Sequence, residues 1–299
     1  MLLNSQTLCF EWLRSKKGKI KPSTYDKYDM ILNKYLLDFF NNYHLDQLDI
    51  SIIKDYFISL LDQGLSSSVV QSIKNVLKAI YITYENQYGL NHIDFSLVKI
   101  EQEKKENASL LDEQFNQLHQ YCLNTIDAIH LGILLAMDTG MMIGEICALK
   151  VSDIDLNKKM ISITKRTQRV KNEERGSKTI YEVADVEWPI KRNIAIPQSL
   201  IQYLEIYLKD NNKSDYLLSN NQHASDFKKL QRGLDKITQQ LGFKTTYKDL
   251  RNMYKEHCMK KCLDVNVVME LLGLQSMKLS LPQNYNSSDE EKIKQINKL

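Results

Sequence analysis

Little in this chain forces a turn, since its 299 residues include only 10 glycines and 4 prolines. That scarcity argues against collagen-like repeats, against disorder and against glycine-rich phosphate loops. No apolar run approaches the ~18 residues of a membrane span. The weak N-terminal apolar patch is broken by Asn4, Ser5 and Glu11, so no signal peptide is expected. Cysteines are scattered and odd in number: Cys9, Cys122, Cys147, Cys258 and Cys262. A chain this long builds its own core and needs no disulfide framework, so reduced thiols in a cytoplasmic protein are the expectation. A surplus of one charge is missing too, with Lys+Arg 40 against Asp+Glu 37 and a net charge of +3. Charge alone therefore names no partner. The composition is that of a soluble two-domain protein without membrane attachment.

What is present is helical periodicity. Met30, Ile31, Tyr35, Leu36 and Phe39 recur at helical spacing after Ser23. Ile52, Ile53, Tyr56, Phe57, Leu60 and Leu61 do so after Ser51, and Val69 through Tyr81 do so after Ser66–Ser68. Residues 1–100 are thus predicted to form a four-helix domain. The charged segment 101–107 (EQEKKEN) has no apolar period and reads as a linker. Residues 108–299 resume with helices near Leu110–Cys122 and Ala128–Met137. Strand-like alternation then appears at Met160–Thr164, Thr179–Val186 and Ile194–Ile196, before helices return at Ser199. The expected fold is mainly α with a small antiparallel β-sheet.

Three stretches carry a resemblance. Thr139-Gly140-Met141-Met142-Ile143-Gly144-Glu145, continuing to Asp155, resembles the TG-L/M-R-I-G-E signature of the tyrosine recombinase (phage integrase) family. Tyr247-Lys248-Asp249-Leu250-Arg251 resembles its H-x-L-R signature, and Val268 to Leu274 resembles V-x-x-L-L-G-H. Ile20 to Tyr25 and Leu65-Ser66-Ser67 are similar to the core-binding domain of mobile-element integrases. The resemblance implies a helical, SAM-like core-binding domain before a tyrosine-recombinase-like catalytic domain. It also implies double-stranded DNA as partner, a homo-oligomer or partner recombinase on that DNA, nucleoid association, and no cofactor or metal.

The family's chemistry uses a tyrosine that attacks a backbone phosphate, two arginines that clamp its oxygens, a hairpin lysine that protonates the leaving oxygen, and histidines. Here Met142 stands at the first arginine, Lys248 and Leu274 at the two histidines, and Val186 at the hairpin lysine. Arg251 matches the second arginine. Tyr285 lies one residue beyond the usual nucleophile position, which falls at about Asn284. The resemblance therefore implies a pseudo-recombinase or accessory factor. A rival reading is an active recombinase built from Tyr285, Arg251, Lys248 and Lys191, and a second is a helical protein-interaction scaffold.

Basic clusters complete the candidate set. Lys165, Arg166, Arg169 and Lys171 precede Arg175 and Lys178, and Lys244, Lys248, Arg251 and Lys255 precede Lys260 and Lys261. Lys16, Lys17 and Lys19 make a third group. A charge run is ordinarily a solvated face, but clusters on a near-neutral chain also fit a DNA-binding surface. Ordinary roles stand beside the sharper ones: Met142 as core filler, Tyr285 as a packing tyrosine, and Arg251 as partner to an acid such as Glu145. His257, Cys258 and Cys262 share a helix but have no fourth ligand, which disfavours zinc. Ser287–Leu299 reads as a short amphipathic helix, and the resemblance implies a C-terminal segment that docks on a neighbouring protomer.

Overall fold

In the computed structural model, apolar stripes assemble the chain into two units, Met1–Glu106 and Asn107–Leu299, with Val170–Ile180 grouped with the first. The structure describes residues 4–101, 110–171, 179–187, 189–211, 215–219, 221–261, 263–274 and 287–298. Most of the expected linker at 101–107 lies outside these residues.

The first unit has four helical runs. α1 (Ser5–Lys16) starts where the Asn4 side chain accepts from the Thr7 N–H. α2 (Pro22–Ile31), with proline in its first turn, continues through a π-helical stretch at Leu32–Leu36 into α3 (Leu37–Asn42). α4 (Ile50–Asp62) is capped by Asp49, and α5 (Ser67–Tyr88) ends at Gly89. Their stripes converge on Trp12, Leu32, Leu36, Phe57, Leu77 and Tyr81.

In the second unit, α6 (Asp112–Leu123) and α7 (Ala128–Thr139) come first. α7 is buried on almost every side, from Leu131 to Met137, because α6 and four later helices surround it. The short α8 (Ile143–Ala148) leads to β1 (Ile154–Asp155), β2 (Met160–Ile163), β3 (Lys165–Lys171), β4 (Thr179–Asp185) and β5 (Arg192–Ala195). Strands β1, β2 and β5 form one antiparallel sheet, while β3 pairs with β4 in a second. The three strand-like runs of the sequence fall in β2, β4 and β5. β3 (KRTQRVK) was not expected, because its charge masks any alternation. Helices α9 (Gln198–Asn211), α10 (Phe227–Gln240), α11 (Tyr247–Lys260), α12 (Val265–Leu272) and α13 (Asp289–Ile296) complete the unit.

Register decides one functional side chain. β2 pairs with β5 so that Ile163 faces Arg192 and Ile161 faces Ile194. Strand alternation then buries Arg192 and Ile194 and exposes Asn193 between them.

The C-terminal segment is helical, as expected, and α13 packs against β5 of its own unit. Lys292, 2% exposed, pairs with Glu270 at 2.6 Å. The Ser287 N–H and hydroxyl both donate to the other oxygen of Glu270, at 2.9 and 2.6 Å. Ile296 closes over the core. A buried, fully bonded carboxylate holds the segment where a merely amphipathic face would not.

Candidate functional site

The signature residues meet at the ends of two helices. α7 is capped by Gly140 and α12 by Gly273, with φ of +64° and +62°, a left-handed geometry that glycine adopts without strain. A Cβ on Gly140 would lie 2.4 Å from the Tyr254 ring, and one on Gly273 would lie 3.0 Å from Arg192. Arg251 joins the two ends. Its guanidinium donates to the Gly140 carbonyl at 2.5 Å and to the Leu272 carbonyl at 2.5 Å. These are carbonyls that a helix C-terminus leaves open, and a cation suits them. Burial pulls the Arg251 pKa down to about 10, with Glu145 opposing and Arg192 reinforcing the drift. The group stays protonated at neutral pH.

Glu145 does not pair with Arg251. Its partner is Arg192, through a bidentate contact at 2.7 and 3.0 Å between side chains only 1% and 0% exposed. The Arg192 Nε donates to the Leu271 carbonyl at 2.7 Å, and Nη1 also donates to that of Ile190 at 2.7 Å. The Met142 N–H donates to Glu145 at 2.8 Å. Both charges are therefore satisfied, and the pair ties β5 to α8 and to the end of α12. Sequence reading passed over Arg192. Its signal was present, because residues 185–194 align with a P-K-T-x-x-S-x-R-x-I stretch of related integrases, in which Val186 stands at the lysine and Arg192 at the arginine.

The other candidates divide. Met142 is half-buried at the start of α8 and offers no charge. Val186 is 6% exposed and packs in the core, its N–H donating to the Thr164 carbonyl. An apolar β-branched side chain belongs there. Lys191 is exposed, one residue before the inward-facing Arg192. Leu274 packs partly against the core. Tyr285 lies outside the described residues. Lys248 is exposed in the first turn of α11, and the helical period puts Lys248, Arg251 and Lys255 on one face. The arrangement thus offers a half-buried guanidinium beside a basic stripe.

The other basic candidates lie on the surfaces of the two units, each taken by itself. Lys165 and Arg169 are exposed on β3 and Arg166 is half-buried, while Lys165 reaches Asp185 only at 4.0 Å. Lys171 ends the same strand, and Lys244 is exposed just before α11. In the first unit Lys17 and Lys19 are exposed, and Lys16 lies 5.3 Å from the Trp12 ring centroid. A further basic face escaped the sequence reading. On α10, Leu230, Leu234 and Ile237 turn inward, leaving Lys228, Lys229, Arg232 and Lys236 exposed. The pattern F-K-K-L-Q-R-G-L-D-K-I carries that signal, because its apolar and basic residues separate at helical spacing.

His257 contacts Asp112 at 3.1 Å, and burial pushes the Cys258 thiol up to about 12. Cys262 lies outside the described residues. Among those described, no three His, Cys, Asp or Glu side chains are grouped to hold a metal ion. No described helix is long and apolar enough to cross a membrane.

Comparison with known proteins agrees with this geometry. Residues 108–292 match the model of the phage integrase family, and residues 6–61 match the phage integrase N-terminal SAM-like domain. The chain is 26% identical to a XerC-like tyrosine recombinase of Caldanaerobacter subterraneus subsp. tengcongensis, over 89% of this chain and 74% of that protein. It is also 26% identical to the tyrosine recombinase XerA of Pyrococcus furiosus, over 93% and 88% of the two chains. In fold it is similar to the Tn1549 transposon integrase in complex with a circular intermediate DNA. The TM-score is 0.77 at 16% identity, over 93% of each chain. A lambda integrase dimer bound to a COC′ core site gives a TM-score of 0.65 at 15% identity, covering 93% of this chain and 75% of that one. A family model matched across more than half of its length, on a fold with the same two parts, makes this chain a member of the phage integrase family of tyrosine recombinases.

Proposed function

We propose that this protein binds duplex DNA through basic faces of both units and has lost efficient phosphoryl transfer, acting as an accessory factor or pseudo-recombinase. The observation that carries this reading is the state of the old phosphate site. Arg251 is engaged by two carbonyls, Met142 contributes an apolar side chain, and Val186 is buried in the core. Losing one charge-stabilising donor costs about 10²–10³ in rate, and losing a general acid about 10²–10⁴. DNA as partner is supported by the exposed basic faces of α10, α11 and β3, and by structural relatives described as bound to DNA. The DNA-bound form is a homo-oligomer or an assembly with a partner recombinase.

The rival reading is an active recombinase in which Tyr285 attacks, assisted by Arg251, Lys248 and Lys191. Incubation with nicked suicide duplexes separates the two, because only the rival traps a covalent protein–DNA adduct. Restoring arginine alone, in Met142→Arg, is expected to leave such adducts undetectable. Catalytic groups that act as a unit return little when one is replaced. Clear adduct formation by that single variant would overturn the proposal.

Arg251 gives a second test. Arg251→Ala is expected to lose about 1.5–3 kcal/mol of stability, the worth of hydrogen bonds to a charged group. DNA affinity per folded molecule should change little, because both terminal nitrogens are anchored to helix-end carbonyls. Melting temperature and DNA affinity are measured on one preparation. A tenfold loss of affinity with an unchanged melting temperature would return Arg251 to phosphate binding.

A further inference from the structure

The first unit carries a groove that a DNA-binding surface does not explain. It lies between the α3 run and α4 and encloses about 600 Å³. Tyr35, Phe39, Tyr43 and Tyr56 supply aromatic walls, and Asp38 and Asp55 stand among the lining residues. The Phe39 and Tyr56 rings stack with centroids 4.3 Å apart. The Tyr56 hydroxyl donates to the Tyr35 carbonyl at 2.9 Å, which fixes its ring in place. Tyr43 stays 39% exposed at the rim.

Two features identify what such a groove takes. Asp38 and Asp55 are exposed and form no ion pair among the described residues, so their charge faces whatever enters. The Tyr35 ring already receives a cation from its own helix, with the Lys34 ammonium 5.2 Å from the centroid. Aromatic faces beside carboxylates attract a planar guanidinium by cation–π and charge together. The same carboxylates repel phosphate, which sets this face apart from the basic surfaces.

We infer that the groove between α3 and α4 docks an arginine-bearing peptide segment of a protein partner. An integrase-family protein without efficient chemistry acts through its partners, so the inference deepens the proposed function and rests on it. Its test does not depend on DNA cleavage.

The probe is a fluorescein-labelled hexa-arginine peptide titrated into the full-length protein and followed by fluorescence anisotropy. Asp38→Asn/Asp55→Asn is expected to weaken binding about tenfold, and Tyr43→Ala about threefold. Glu290→Gln/Glu291→Gln removes the same charge from exposed positions on α13 and is expected to leave affinity unchanged. Duplex DNA affinity should be the same in all three variants. Equal peptide affinity in Asp38→Asn/Asp55→Asn and the α13 control would overturn the inference. So would a severalfold gain in DNA affinity in Asp38→Asn/Asp55→Asn, because the groove would then face phosphate. A failure of DNA binding in the unmodified protein would instead strike the proposed function and leave the peptide result standing.

Discussion

Glu145→Ala is expected to destabilise the second unit by about 3–5 kcal/mol, the cost of stranding one member of a buried ion pair. For a unit of this size that is on the order of 10 °C in melting temperature. The reason is local and complete. Arg192 sits 1% exposed, with two of its donors aimed at Glu145 and two more at the carbonyls of Leu271 and Ile190. Removing the carboxylate leaves a guanidinium in the core without its counter-charge. The double variant Glu145→Leu/Arg192→Met should recover most of the loss, because paired apolar replacements of a buried ion pair are often neutral. Calorimetry of the single and double variants reads both effects. A Glu145→Ala protein within about 1 kcal/mol of the parent would show that Arg192 finds another partner, since an ordinary surface change costs no more than that.

Affinity for duplex DNA is expected to fall roughly 10³-fold between about 50 and 200 mM salt, if about six phosphates are neutralised. The exposed lysines and arginines on α10, α11 and β3 supply enough charge for that count. Lys228→Ala/Arg232→Ala/Lys236→Ala should lower the slope of log affinity against log salt by about 3, roughly one for each phosphate no longer neutralised. Because phosphate contacts position without reading bases, the weakening should be similar on unrelated sequences. Anisotropy titrations at several salt concentrations suffice. Flat affinity across that range, or no duplex binding at all, would leave the helical scaffold as the surviving reading.

Several elements were legible because their signal is local. Helical spacing announced α4 and α5, although Asp49 and not Ser51 caps α4, and alternation announced β2 and β5. The α10 face is equally local but is overshadowed by the denser charge runs on either side of it. β3 was hidden for a different reason: a strand of seven residues with four cations carries no hydrophobic alternation to read.

The sequence by itself determined the family and the residue types available, because signatures such as Thr139–Glu145 and Tyr247–Arg251 are contiguous. It therefore determined that Met142 brings no charge and Val186 no proton. Which arginine meets which acid was decided only by the tertiary structure. Glu145 takes Arg192, 47 positions away, because the register of β2 with β5 turns Arg192 inward and exposes Lys191. Arg251 is left to the carbonyls at the ends of α7 and α12. The C-terminal helix is joined to its own unit where Glu270, Ser287 and Lys292 satisfy one another in a buried place. Pairings of this kind depend on which faces converge and on the cost of leaving a buried charge alone, and neither is written in any local stretch of chain.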